Sequence, residues 1–126
     1  VINGVVRTTA AALEHLRYVD GVMIGRQAYK DPYWLTELQS AVFPERVWQP
    51  PNRSEVVAQM ADYARSAQAA GTRMNHITRH MLGLYSGRPG ARAWRRYLTE
   101  AAVAPDALPE LLVDSLDLVE ANETTA

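Results

Sequence analysis

The chain of 126 residues contains no cysteine at all. That absence excludes a disulfide framework, a thiolate metal site and any cysteine nucleophile or acid from within this sequence. Nor is there an apolar run near the roughly 20 residues that a membrane helix requires, and the N-terminus lacks the charged-then-apolar layout of a signal peptide. A soluble, cytoplasmic protein without a membrane partner is the expectation. Internal repeats and low-complexity tracts are also missing. What remains is ordinary for a globular chain, with 48% hydrophobic and 21% charged residues. The length accommodates one domain with a modest core, and a complete barrel or dinucleotide-binding enzyme does not fit in it. The sequence opens at Val1 in a strand-like run rather than at a methionine, which reads as a segment cut from something larger.

The formal net charge of -1 conceals an uneven distribution. Residues 1–70 carry seven basic and seven acidic side chains, residues 71–100 carry six arginines against the lone Glu100, and residues 101–126 carry six acids and no base. An arginine-dense stretch of this kind lets a near-neutral protein present a positive face to an anionic polymer.

The first fifty residues read in βαβα order. Val1-Ile2-Asn3-Gly4-Val5-Val6 is an apolar run with glycine, and Thr8 or Thr9 caps a helix whose Ala11, Ala12, Leu13 and Leu16 form an apolar stripe ending near Tyr18. Asp20-Gly21 then turns the chain into a second apolar run, Val22-Met23-Ile24-Gly25. Continuous apolar strands suit a parallel sheet covered by helices on both faces, and two strands alone cannot complete one. Further strands are expected upstream. A helix is predicted from about Pro32 to Val42, and Pro44, Pro50 and Pro51 mark an interdomain linker over 44–53.

From Ser54 onward the pattern is helical throughout. Ser54 is the expected cap of a helix with Val57, Met60, Ala61 and Ala64 on one stripe and Gly71 as its stop. A second helix is expected from Thr72 to Tyr85, a turn at Ser86-Gly87-Arg88-Pro89-Gly90, and a third helix from Ala91 to about Ala102 with Trp94, Leu98 and Ala101 on one face. The last helix runs from Asp106 or Pro109 to Val119, and Glu120 to Ala126 is expected to fray.

Two constellations stand out. Asn3-Gly4 ends one strand, and Gly25-Arg26 ends the next 21 residues later. In eight-stranded α/β barrels, a ligand phosphate often sits at the C-terminal ends of the last two strands. Backbone N–H groups hold it there, with glycine allowing close approach and arginine offering a forked pair of donors. The alternative is that both glycines merely end strands and that Arg26 is a surface charge. The second constellation is Arg73, His76, Arg79, His80, Arg88, Arg92, Arg95 and Arg96, expected as two cationic helix faces joined by a basic turn. Such faces supply phosphate contacts and stacking to RNA, or else a solvated arginine face pairs with acids of the last helix. His76 and His80 stand at the i, i+4 spacing of a zinc pair, but Ile77 occupies the place where a catalytic HExxH helix has glutamate, and no third ligand is apparent. No metal is expected. No Ser-His-Asp order, P-loop or paired carboxylates are present, so spacing alone assigns no reaction.

Taken together, Ile2-Asn3-Gly4, Asp20-Gly21-Val22-Met23-Ile24-Gly25-Arg26-Gln27-Ala28-Tyr29 with Pro32, and His76-Ile77-Thr78-Arg79-His80-Met81-Leu82-Gly83-Leu84 form a familiar set. With Gly87, Pro89-Gly90-Ala91-Arg92 and Trp94-Arg95-Arg96 they resemble the C-terminal portion of the A-type tRNA-dihydrouridine synthases over about residues 1–119. The long central motif is the specific part of this match. The resemblance implies the last two βα units of an FMN-binding TIM barrel (residues 1–43), the linker 44–53, and an all-α four-helix domain that binds tRNA (residues 54–126). It implies a flavin-dependent reduction of D-loop uridines to 5,6-dihydrouridine with NADPH as reductant. An acidic cysteine protonates the ring in that family and would have to lie in an upstream barrel domain of the same polypeptide. Asn3, Gly4, Gly25 and Arg26 correspond to the family's FMN-phosphate cradle, and the basic helices to its tRNA-gripping domain. One departure is Val5, which stands where the family usually has a second glycine. Valine keeps its N–H but does not adopt a positive φ cheaply. A stand-alone RNA-binding helical module is the alternative reading.

Overall fold

The computed structural model describes the backbone of Ile2–Asn3 and residues 6–119. The chain divides into two compact units, Val1–Pro50 and Pro51–Ala126.

In the N-terminal unit, strand β1 (Ile2–Asn3) leads to helix α1 (Thr9–Leu16) and then to strand β2 (Val22–Met23), which pairs with β1 in parallel. The register sets Ile2 opposite Val22 and Asn3 opposite Met23. Of the two threonines considered as the cap of α1, Thr8 takes the role: its backbone is extended and its side chain accepts the Ala11 N–H at 3.0 Å. Helices α2 (Arg26–Lys30) and α3 (Trp34–Val42) follow. The short α2 was not expected, because five residues are too few to display a helical period. Helix α3 starts two residues later than predicted. Pro32 and Tyr33 lie instead in a turn whose carbonyls accept from Leu35 and Thr36 at three-residue spacing. Buried Val6, Ala12 and Leu38 form the centre of this unit, with Ala11, Val22, Ile24 and Trp34 packed around them. The Trp34 indole donates to the Thr9 hydroxyl at 2.9 Å, and that hydroxyl donates to Glu37, which ties α1 to α3.

The C-terminal unit is helical. Helix α4 (Arg53–Ala69) begins at Asn52 rather than at Ser54. The reason is a capping box: the Asn52 side chain accepts the Glu55 N–H at 2.8 Å while the Glu55 carboxylate accepts the Asn52 N–H at 3.2 Å. Ser54 instead donates its hydroxyl to the Asn52 side chain. At the other end Gly71 takes φ +103°, and the Gly71 and Thr72 N–H groups return to the carbonyls of Gln68 and Ala67. This is the paired bonding of a Schellman stop, which favours glycine at that position.

The second helix is far shorter than the predicted Thr72–Tyr85. Helix α5 covers only Met74–Thr78, and residues 79–90 continue as a succession of turns. His80, Met81, Leu84, Ser86 and Arg88 each donate their N–H three residues back. At three residues per turn, positions 78, 81 and 84 align on one side, and Thr78, Met81 and Leu84 are all buried. Positions 74, 77, 78, 81, 84 and 85 also share one face of a regular helix, so their burial is met by either winding, and Gly83 lowers the cost of leaving the α-helix.

Helix α6 (Ala91–Ala101) follows Gly90, which sits at φ +85°. It buries Ala91, Trp94 and Leu98. Helix α7 (Glu110–Ser115) runs into a single 3₁₀ turn, Leu116–Leu118, with Leu111, Leu112 and Ser115 buried. Trp94 has no solvent exposure; its indole N–H donates to the Ser115 hydroxyl at 2.9 Å, and that hydroxyl donates to the Leu112 carbonyl at 2.6 Å. The Tyr85 ring meets Trp94 edge to face at 4.9 Å between centroids. The expected fraying of Glu120 to Ala126 lies outside the described residues.

Candidate functional site

The two sets of residues singled out above fall in different units. In the N-terminal unit the parallel register decides what comes together. Since Asn3 lies opposite Met23, the chain leaving β1 and the chain leaving β2 depart from the same, C-terminal edge of the strand pair. Gly25 and Arg26 follow β2 directly, Gly25 flanking α2 and Arg26 forming its first residue. The Asn3 backbone is part of this edge, whereas Gly4 and Val5 lie outside the described residues.

Gly25 has φ -116°, so its backbone makes no demand for glycine. A β-carbon there would meet no atom of this chain within 4 Å. The space beside the backbone is open, and the Arg26 side chain next to it is exposed. The first intrahelical bond of α2 runs from Tyr29 to the Gly25 carbonyl, which leaves the N–H groups of the helix start without helical acceptors. An exposed guanidinium, an uncrowded glycine and N–H groups on one loop form a donor set of the kind that accommodates a phosphate.

In the C-terminal unit the basic residues do not share the single polar strip that an unbroken helix over 72–85 would have made. Arg73 precedes α5 in extended backbone, and its guanidinium donates to the Val103 carbonyl at 3.3 Å. Arg73 also lines a pocket of about 180 Å³ together with Gln68, Thr72, Met74, Pro105 and Ala107. No local signal could have revealed the bond to Val103, because the partner lies 30 residues away. His76 lies within α5, but His80 lies beyond its end, so the pair is not presented at successive turns of one helix. His80 instead accepts from the Arg79 Nε at 3.2 Å. Among the described residues no group of three or more histidines, cysteines or carboxylates is arranged to hold a metal ion. Arg88 is half-buried in the turn before α6.

On α6 the grouping survives. At 100° per residue, Arg92, Arg95 and Arg96 fall within a sector of about 100°, beside the buried Ala91, Trp94 and Leu98. Arg92 and Arg96 are exposed and Arg95 is half-buried at the margin. The buried face is held by the Trp94–Ser115 bond, which fixes the direction in which the arginines point.

The charge partners bear on the reading in which acids of the last helix neutralise this face. Among the described residues, no ion pair joins an arginine of 73–96 to an acid of the last helix. The last helix uses Glu110 on Arg65 of α4, at 3.5 Å, and Arg65 also pairs with Asp62. Within the arginine stretch, the pair is Arg96 with Glu100 at 3.0 Å on the same helix. Among the described residues no helix is long and apolar enough to cross a membrane.

A parallel βα pair followed by a helical unit with an arginine-rich helix defines the class of arrangement. The family model for dihydrouridine synthase (Dus) matches residues 1–120, and the chain belongs to that family. It is similar to the tRNA-dihydrouridine(20/20a) synthase of Vibrio parahaemolyticus, with 44% identity over 115 residues that make up 91% of this chain and 35% of the relative. The protein of the same description from Shewanella oneidensis is 46% identical over 101 residues, covering 80% of this chain and 30% of that protein. The one from Synechocystis is 37% identical over 115 residues, covering 91% and 34%. The chain thus spans about a third of the length of the curated relatives it matches.

Proposed function

We propose that this chain forms the C-terminal part of a flavin-dependent tRNA-dihydrouridine synthase. In this reading the whole protein is a cytoplasmic oxidoreductase that reduces D-loop uridines of tRNA to 5,6-dihydrouridine with NADPH. Residues 1–43 then belong to the last two βα units of a TIM barrel whose remaining strands and catalytic cysteine lie upstream in the same polypeptide. Family membership supports the reaction class, and the relatives are named as tRNA-dihydrouridine(20/20a) synthases.

The chain's own residues have two tasks in this proposal. Asn3, Gly4, Gly25 and Arg26 hold the FMN phosphate. The open space at Gly25 and the exposed Arg26 at the strand-pair edge support that assignment. When bound, FMN supplies the hydride that reduces the uracil ring. The residues of this chain anchor the cofactor at its phosphate end, through the exposed Arg26 guanidinium and backbone N–H groups.

The second task is to bind tRNA through Arg73, His76, Arg79, His80, Arg88, Arg92, Arg95 and Arg96. A target uridine must leave its stack to meet a flavin, so affinity must come from contacts elsewhere on the folded RNA, chiefly to phosphates. The observation that carries this assignment is the α6 face, whose Arg92 and Arg95 form no ion pair with an acid of the last helix among the described residues. The stand-alone module has no observation in its favour.

The test of the RNA assignment is a salt titration of tRNA affinity in the full-length protein. Arg92→Ala with Arg95→Ala should weaken binding and reduce the slope of log affinity against log salt by about 0.7 to 0.9 per lost phosphate contact. An unchanged slope in a folded variant refutes it. For the cofactor, Arg26→Ala should purify with less flavin absorbance per protein than the parent, and retention of stoichiometric flavin refutes that assignment.

A further inference from the structure

Glu100 is the only acid among residues 71–100, and its position works against its own helix. It lies in the last turn of α6, a helix with no basic residue in that turn. A negative charge there faces the negative end of the helix dipole. Its partner Arg96 lies four residues N-terminal to it, and this order of charges is the weaker of the two possible on a helix. Both side chains are largely exposed, at 79% for Arg96 and 67% for Glu100, so the ion pair adds little to stability. The acid therefore has no evident benefit for the fold, yet it sits 3.0 Å from one cation of the face assigned above to RNA.

We infer that Glu100 is a specificity-determining residue: an internal competitor for Arg96 that keeps this guanidinium from contributing to indiscriminate phosphate binding. The inference rests on the reading of α6 as an RNA-binding face. Phosphate contacts supply affinity without sequence information, and every additional free arginine strengthens binding to any RNA. A carboxylate one turn away makes the Arg96 contact conditional. An RNA phosphate must displace Glu100, and a backbone held in place by its other contacts does so more effectively than a loosely fitting one. Among the described residues neither Arg92 nor Arg95 forms an ion pair with a carboxylate, so they provide the unconditional part of the attraction.

The experiment compares four full-length variants, each checked for helical content by circular dichroism: Glu100→Gln, Arg96→Ala, the two combined, and Arg92→Ala with Arg95→Ala. Each is titrated with an unmodified tRNA transcript and with an unrelated RNA hairpin of matched length. Glu100→Gln should tighten hairpin binding about three- to tenfold and tRNA binding by less, lowering the ratio between them. Adding Arg96→Ala to Glu100→Gln should return hairpin affinity to the parent value, since the freed guanidinium is what gained the contact. Arg96→Ala alone should change hairpin binding little. Hairpin affinity unmoved by Glu100→Gln, while the Arg92 and Arg95 variant weakens both RNAs, overturns the role of Glu100 and leaves the RNA face intact. If the Arg92 and Arg95 variant binds both RNAs like the parent, the RNA face itself is wrong, and the inference falls with it. A gain in Glu100→Gln that persists when Arg96 is removed overturns the competition and leaves only general repulsion.

Discussion

In the C-terminal unit each of the four α-helices contributes at least two buried apolar side chains. Among them Trp94 has no exposed surface, meets the Tyr85 ring edge to face and spends its one polar group on Ser115. In the N-terminal unit the fully buried set among the described residues is Val6, Ala12 and Leu38, while Leu13, Met23 and Leu35 are 39%, 56% and 48% exposed. The first unit of this pair closes around its own core. The second displays apolar side chains on a parallel strand and on two helices, the elements that a parallel sheet normally buries on both faces. The difference matches the division of labour proposed above, in which residues 1–43 are one sector of a larger barrel and the helical unit is a separate body that grips RNA.

Stability measurements can break this comparison. Trp94→Ala should have the largest effect, destabilising the helical unit by about 3–5 kcal/mol through the cavity it leaves, with the Ser115 hydroxyl deprived of its donor. Loss of amide protection across α4, α6 and α7 in native-state hydrogen exchange, with α1 and α3 little changed, is the expected pattern. A uniform loss would mean that the two units unfold as one. A finer test is the same truncation in both units. Leu112→Ala should cost about 3–4 kcal/mol, and Leu38→Ala about 2 kcal/mol, because a small and partly open cluster relaxes or admits water more easily than a closed core. Equal costs by denaturant unfolding would show that the N-terminal unit is packed as tightly as the C-terminal one.

Much of the fold was legible in the residues, and the failures have definite causes. Helices α1, α4 and α6 are long enough to display an apolar period, and the stop of α4 at Gly71 is a local event. The cap of α4 was misplaced by two residues because Ser54 is a good cap in isolation, while the reciprocal bond between Asn52 and Glu55 depends on both residues together. The segment 72–85 was misread because Met74, Ile77, Met81 and Leu84 also satisfy a helical period. Only the surrounding core selects the run of turns after Thr78 over a continued helix. The same misreading merged Arg73, His76 and His80 into one strip that the structure does not contain.

The candidate sites divide in a similar way. That Arg92, Arg95 and Arg96 share a helix face, and that Arg96 can reach Glu100, follows from spacing on one helix. That Arg73 is held by the Val103 carbonyl does not, because nothing local connects positions 30 residues apart. The family was readable from the motifs, and the match over residues 1–120 rests on the sequence as well.

By itself, the sequence determined the absence of a cysteine acid, the concentration of arginine between 73 and 96, the family, and the stop of α4 at Gly71. These depend on residue identity and on neighbours within a few positions, which act in the same way whatever the rest of the chain does. Tertiary structure decided which arginines are free of acids from the last helix, where the second helix breaks, and that the ends of the two strands emerge at a common edge. Those outcomes depend on which distant surfaces meet, and each is settled by burial and pairing across dozens of residues rather than by the preference of any one of them.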